Sequence, residues 1–142
     1  MPDLLDTNVW LALAHPGHPF HRRALFYWRR EAALELAFTW VTALGFLRLL
    51  TNEKVMGGRP LASAEAWKLF KRFLERPGVS VHQEPGRLME HLEFFSERFS
   101  LRGGYWTDAY LAAFAISGGY RLVTFDRDFE RFPGLHLLLL RA

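Results

Sequence analysis

The sequence predicts an α/β fold with a mostly parallel central sheet flanked by helices. Short apolar runs alternate with longer helix-periodic segments along the 142 residues, the pattern that strand–helix–strand units leave in a sequence. Three of the five aspartates, Asp6, Asp108 and Asp126, stand where such a run ends or a helix begins. An open parallel sheet binds its ligands just outside the carboxyl ends of its strands, so acids there can converge on one crevice.

Each element can be justified in turn. Strand 3–6 carries Leu4-Leu5 and closes on Asp6, which opens Asp6-Thr7-Asn8-Val9-Trp10. Asp3 is expected at the solvent end of that strand, without a role. His15, His18 and His21 recur every third residue, a spacing that raises zinc. Pro16, Gly17 and Pro19 interrupt any helix there and no thiolate is available, so a loop that helps shape a groove fits better. The following helix bears Arg22, Arg23, Arg29 and Arg30, either phosphate contacts or a solvated face.

Strand 36–39 precedes Thr42, which is expected to cap a helix beginning at Ala43. Arg48 lies on the same helix, more than a turn later, and could reach a phosphate or form a structural ion pair. Segment 61–76 sets Ala66, Trp67, Phe70, Phe73 and Leu74 on one helical stripe, and Leu88, Leu92, Phe95 and Phe99 repeat that spacing. Both stripes read as core. Pro77-Gly78 and Gly118-Gly119 end helices ahead of strands 79–82 and 121–125.

Thr107 is expected to cap a helix starting at Asp108, where the helix dipole favours a carboxylate. Strand 121–125 delivers Asp126, and Asp128 could cap the short helix that follows. The leucine-rich tail completes the sheet with an edge strand at 135–139, a surface prone to association.

Composition narrows the function. Half of the chain is hydrophobic, with thirteen Phe and five Trp, enough for a real core and far from a disordered tract. No linker or internal repeat divides residues 1–142, so one domain is expected. Net charge is +3, and fifteen of the eighteen basic residues are Arg, a balance compatible with nucleic acid. Absence of cysteine removes disulfides, thiolate nucleophiles and Cys-based zinc sites. No signal-peptide pattern and no apolar run of the ~20 residues needed to span a bilayer occur, so a cytoplasmic protein without a membrane partner is expected.

Carboxylates gathered in a crevice repel one another unless a hard cation neutralises them. Mg²⁺ takes one or two protein carboxylates and keeps several waters. Asp6 and Asp108 are therefore the direct-ligand candidates, with Asp126 ligating through water or completing a second site. Asn8 and Thr107 offer short polar groups beside them that could orient a ligand or water.

Leu4-Leu5-Asp6-Thr7-Asn8-Val9, Thr42 through Arg48 to Thr51-Asn52 with Gly57-Gly58, Thr107-Asp108-Ala109-Tyr110-Leu111-Ala112 and Leu122-Val123-Thr124-Phe125-Asp126-Arg127 follow one another in order across nearly the whole chain. In that order and spacing the sequence resembles the PIN-domain ribonucleases and, within them, the VapC toxins of bacterial toxin–antitoxin pairs. The resemblance implies a PIN-like three-layer sandwich and Mg²⁺- or Mn²⁺-dependent cleavage of RNA. It also implies a homodimer and inhibition by a VapB-like antitoxin. The family's acids carry over onto Asp6, Asp108 and Asp126, and its remaining acidic position falls on Ala43. That substitution implies an altered or impaired site. A non-catalytic RNA-binding or decoy module that keeps the antitoxin contact is the rival reading. A phosphatase or phosphotransferase ranks last, because Asp6-Thr7-Asn8 lacks a second acid two residues on.

Overall fold

The computed structural model describes residues 1–141; Ala142, the last residue of the expected domain, lies outside the described residues. Five strands form one sheet: β1 (Asp3–Leu5), β2 (Leu36–Phe38), β3 (Val79–Val81), β4 (Arg121–Thr124) and β5 (Leu137–Leu139). Their order is β3-β2-β1-β4-β5, and every recorded pairing is parallel. The chain builds outward from β1 through β2 to β3, then returns to the other side of β1 to add β4 and β5. The order therefore reverses between β1 and β4, and ligand crevices of open α/β sheets form at such a reversal.

The expected strands appear in place, with β1 to β4 each one residue shorter at the carboxyl end and β5 starting at Leu137. Two of the lost residues have become caps. Asp6 caps α1 (Thr7–Ala14), and Thr39 caps α3 (Trp40–Leu50).

Alternation along the strands divides the core into two layers. Leu5, Phe38 and Val123 face one cluster with Val9, Trp10, Phe46 and Phe70. That cluster joins α1, α2 (His21–Phe26), α3 and α4 (Ser63–Leu74). Trp10 stacks on Phe38 at 3.8 Å between ring centroids and 9° between planes. Leu4, Ala37 and Leu122 face the opposite cluster with Phe95, Leu111, Phe114 and Phe129, beneath α5 (Leu88–Arg98) and α6 (Gly104–Gly118). The result is the three-layer sandwich that the resemblance implied.

At Gly78 φ is +81°, and a Cβ there would lie 2.0 Å from the Leu34 carbonyl oxygen. Only glycine lets α4 turn into β3 while its carbonyl accepts from Leu36 N.

Asp3 corrects the sequence reading, since it is fully buried rather than at a solvent end. Its carboxylate accepts from Tyr27 Oη at 2.6 Å, Ala33 N at 3.0 Å, and Arg121 Nε and Nη2 at 2.8 and 2.9 Å. A π-helical turn, Tyr27–Glu31, follows α2 and carries the chain over the amino end of β1. Arg23 is likewise engaged, donating to Glu31 at 2.6 Å and to the Arg141 carbonyl at 2.9 Å. Its guanidinium forms an ion pair with Glu31. Among the described residues no helix is long and apolar enough to cross a membrane.

Candidate active site

β1 and β4 end side by side at the reversal of strand order, and each hands its next residues to the crevice. Asp6 caps α1, its Oδ1 accepting from Thr7 N at 2.8 Å. Its Oδ2 accepts from Thr124 Oγ1 at 2.8 Å. The same Thr124 hydroxyl accepts from Asp126 N at 3.0 Å, so one buried threonine ties the two acidic turns together. Asp126 Oδ1 accepts from Asp128 N at 2.9 Å, which makes Asp126, and not Asp128, the cap of the 3-10 turn Arg127–Arg131.

Asp108 arrives from α6. That helix begins at Gly104, after Gly103 at φ 49°, so the chain enters the helix a turn earlier than expected. Thr107 therefore caps nothing, and Asp108 sits in the second turn. A cavity of about 540 Å³ is lined by Asp6, Thr7, Asn8, Val41, Leu44, Gly45, Arg48, Leu49, Gly104, Thr107 and Asp108. A smaller one, about 310 Å³, is lined by Asp6, Asn8, His18, Phe20, Phe125 and Asp126. Asp6 and Asn8 belong to both, so the three sequence-predicted acids share one divided cleft.

Electrostatics single out two of the three, Asp6 and Asp108. Burial pushes the Asp6 carboxyl up against the opposing hydrogen bonds from Thr124 and Thr7, and Asp126 adds repulsion. Asp108 is raised to about 6, first by burial, then by Asp6 and Asp126, with Arg131 partly offsetting them and Asp128 adding a little. Like charges held this close favour a proton or a cation.

Ala43 needs correction. Thr39 and Thr42 cap each other reciprocally, Thr42 N donating to Thr39 Oγ1 at 3.0 Å and Thr39 N to Thr42 Oγ1 at 2.9 Å. This box starts α3 at Trp40, so Ala43 lies inside the helix, fully buried in the core with Trp10 and Phe46. It does not line the cleft. The α3 residues that do are Val41, Leu44, Gly45, Arg48 and Leu49. At Gly45 a Cβ would meet Thr7 Oγ1 at 3.0 Å, so α3 packs closely on α1 at the cleft wall and supplies no carboxylate to it.

The remaining candidates separate. Arg48 is exposed and lines the larger cavity. Arg22 lies with Leu25, Phe26, Arg29 and Arg30 around a different depression. His21 Nδ1 bonds the Ala12 carbonyl at 2.6 Å, while His18 Nδ1 accepts from Phe20 N at 3.0 Å. His18 and His21 are thus held by separate backbone partners, and of His15, His18 and His21 only His18 lines the acidic cleft among the described residues. Sequence reasoning missed Phe20 and Phe125, whose only signal was proximity to His18 and Asp126 along the chain.

Among the described residues, no three His, Asp or Glu groups stand close enough to cage a metal ion outright. Mg²⁺ does not ask for such a cage, since it retains waters and needs one or two carboxylates. Asp6 and Asp108 on one cavity, with their charges disfavoured, fit that requirement.

The sequence profile of the PIN domain family matches residues 4–135. Ribonuclease VapC41 of Mycobacterium tuberculosis (strain ATCC 25618 / H37Rv) is 40% identical over 142 residues, covering 96% of this chain and 97% of that protein. The solved structure of Mycobacterium tuberculosis VapC20, described as a Sarcin-Ricin loop cleaving toxin, superposes with a TM-score of 0.68 at 20% identity, covering 94% of this chain and 98% of that one. VapBC2 from Rickettsia felis, bound to a DNA fragment from its promoter, contains a chain that superposes at 0.71 with 15% identity, covering 99% of this chain and 100% of that one.

Proposed function

The chain belongs to the VapC branch of the PIN-domain family, and from that premise we propose that it is an endoribonuclease toxin whose residues 1–142 act as one PIN-like domain. The observation that carries the reading is the meeting of Asp6, Asp108 and Asp126 in one cleft at the carboxyl ends of β1 and β4. A structural cap accounts for two of the aspartates, Asp6 and Asp126. It does not explain why three of them repel one another across a cavity wide enough for a ligand.

Asp6 and Asp108 would hold Mg²⁺ or Mn²⁺, with Asp126 ligating through water or at a second site. A divalent cation bound there would make a water easier to deprotonate and offset charge developing on the phosphate. The chain's own residues do the rest. Thr124 fixes the orientation of the Asp6 carboxylate, and Asp126 holds its turn through Asp128 N. Asn8, shared by both cavities, presents an amide to the reacting group. The Arg48 side chain lies on the cavity wall with no hydrogen bond or ion pair to another side chain among the described residues, and its guanidinium suits a phosphate oxygen. Thr107 orients polar contacts beside Asp108.

Ala43 gives no ground for an impaired enzyme, because it faces the core. Three aspartates suffice in this reading. The partners are an RNA substrate, a VapB-like antitoxin of the kind in the Rickettsia complex, and a second copy of the chain. A labelled structured-RNA pool incubated with Mg²⁺ or Mn²⁺ tests the reaction. Scission by the chain, abolished in Asp108→Asn and by EDTA, is expected; scission that survives Asp108→Asn would sink the assignment.

A further inference from the structure

The smaller cavity has a composition that the metal chemistry does not require. Past Asp6 and Asp126 it is walled by His18, Phe20 and Phe125. Phe20 stacks on Phe125 at 4.8 Å and 27°, yet remains 36% exposed. An exposed ring backed by a second ring is a stacking platform, and bases of unpaired strands stack on such rings whatever their identity.

His18 adds a polar handle. Its Nδ1 accepts from Phe20 N at 3.0 Å, which fixes the neutral ring as the tautomer with its proton on Nε2. That N–H is free to donate to a phosphate or sugar oxygen. Beyond the aromatic pair the surface continues into a cavity lined by Phe20, Phe125, Arg127, Leu139, Leu140 and Arg141. The Arg127 side chain is 80% exposed and meets Glu130 only at 3.7 Å, so its guanidinium is available to a phosphate. The two adjoining cavities share Phe20 and Phe125, so the aromatic pair lies between the carboxylates and Arg127.

We infer that this lobe is a nucleotide subsite, in which Phe20 stacks an unpaired base and His18 donates to the backbone next to the phosphate cut at the aspartates. The inference rests on the ribonuclease reading above and extends it. RNA entering by the α3 wall would cross Asp6 and leave over Phe20, with Arg127 at the adjoining phosphate. A peptide occupant fits less well, because the lobe begins in two carboxylates and ends in two arginines.

Binding of fluorescein-labelled single-stranded RNA decamers of mixed sequence, with Ca²⁺ replacing Mg²⁺, would test it on the full chain. Phe20→Ala should weaken binding about tenfold and Phe20→Trp should restore it; His18→Ala should weaken it several-fold. Substituting 4-thiouridine in the decamers should give a photo-cross-link to Phe20 or Phe125 in the unaltered chain, a readout that needs no variant to fold. Unchanged affinity in folded Phe20→Ala, or cross-links confined to other surfaces, would overturn the subsite while leaving the ribonuclease reading intact. Failure of the unaltered chain both to bind and to cut any RNA would remove both.

Discussion

Asp108→Asn should stabilise the cation-free protein while abolishing its chemistry. Asp108 has its carboxyl raised from 3.8 to about 6 by burial and by the Asp6 and Asp126 charges. Its folded pKa thus lies above the unfolded one, so its contribution is most favourable below pH 3.8 and is lost as pH climbs through about 6. At 1.36 kcal/mol per pH unit the charged form is disfavoured by about 3 kcal/mol. The residue is only partly buried, and screening reduces that to about 1 kcal/mol. Removing the charge should therefore raise the unfolding free energy by about 1 kcal/mol at pH 7.5, or Tm by about 3 °C for a chain of this size. Urea and thermal unfolding in EDTA at pH 7.5 and pH 4 would measure it. The gain should vanish at pH 4, where Asp108 is protonated, and shrink when Mg²⁺ is added to the unsubstituted protein at pH 7.5. An equal loss of stability at both pH values would mean that Asp108 is a structural residue, and the reasoning from crowded charge would fail.

Ala43→Glu should unfold the protein rather than restore an acid to the cleft. The site is closed on all sides by core side chains, so overpacking costs about 1–3 kcal/mol and an unpaired buried charge several more. Circular dichroism of the purified variant checks this, and a well-folded variant with tighter Mg²⁺ binding would refute it. Thr124→Val keeps the shape but removes the hydroxyl between Asp6 and Asp126. It should destabilise by about 1–3 kcal/mol and slow RNA cleavage about 10–100-fold with RNA affinity little changed. Unaltered cleavage kinetics would show that the bridge orients nothing.

Sequence made the sheet and the three aspartates legible because both obey short-range rules. Apolar runs specify strands, and an acid just past a strand end needs no distant partner to be noticed. The helix starts were less legible, since Thr39 and Thr42 are both good caps and only their reciprocal bonding makes Thr39 the boundary. That three-residue displacement turned Ala43 from a cleft position into a core one. Gly103 did the same for α6 by admitting a positive φ that the spacing of Thr107 and Asp108 does not signal. Asp3 was unreadable for another reason. Its partners Tyr27, Ala33 and Arg121 are 24, 30 and 118 positions away, and no local pattern announces a contact of that range. The Phe20–Phe125 pair is hidden in the same way, because the two rings come from opposite ends of the chain.

That the central strand is also the first has a consequence for biosynthesis. The hydrogen bond from Thr124 to Asp6 joins residues 118 positions apart, and β1 cannot gain β4 as a neighbour until the later strand has been made. At translation rates of about 5–20 residues per second, Asp6 waits on the order of ten seconds for the partners that turn it into part of a cleft. An unfinished chain therefore carries its first carboxylate but no site. For a protein proposed to cut RNA, the order of the strands keeps a nascent copy inert beside the ribosome that is making it.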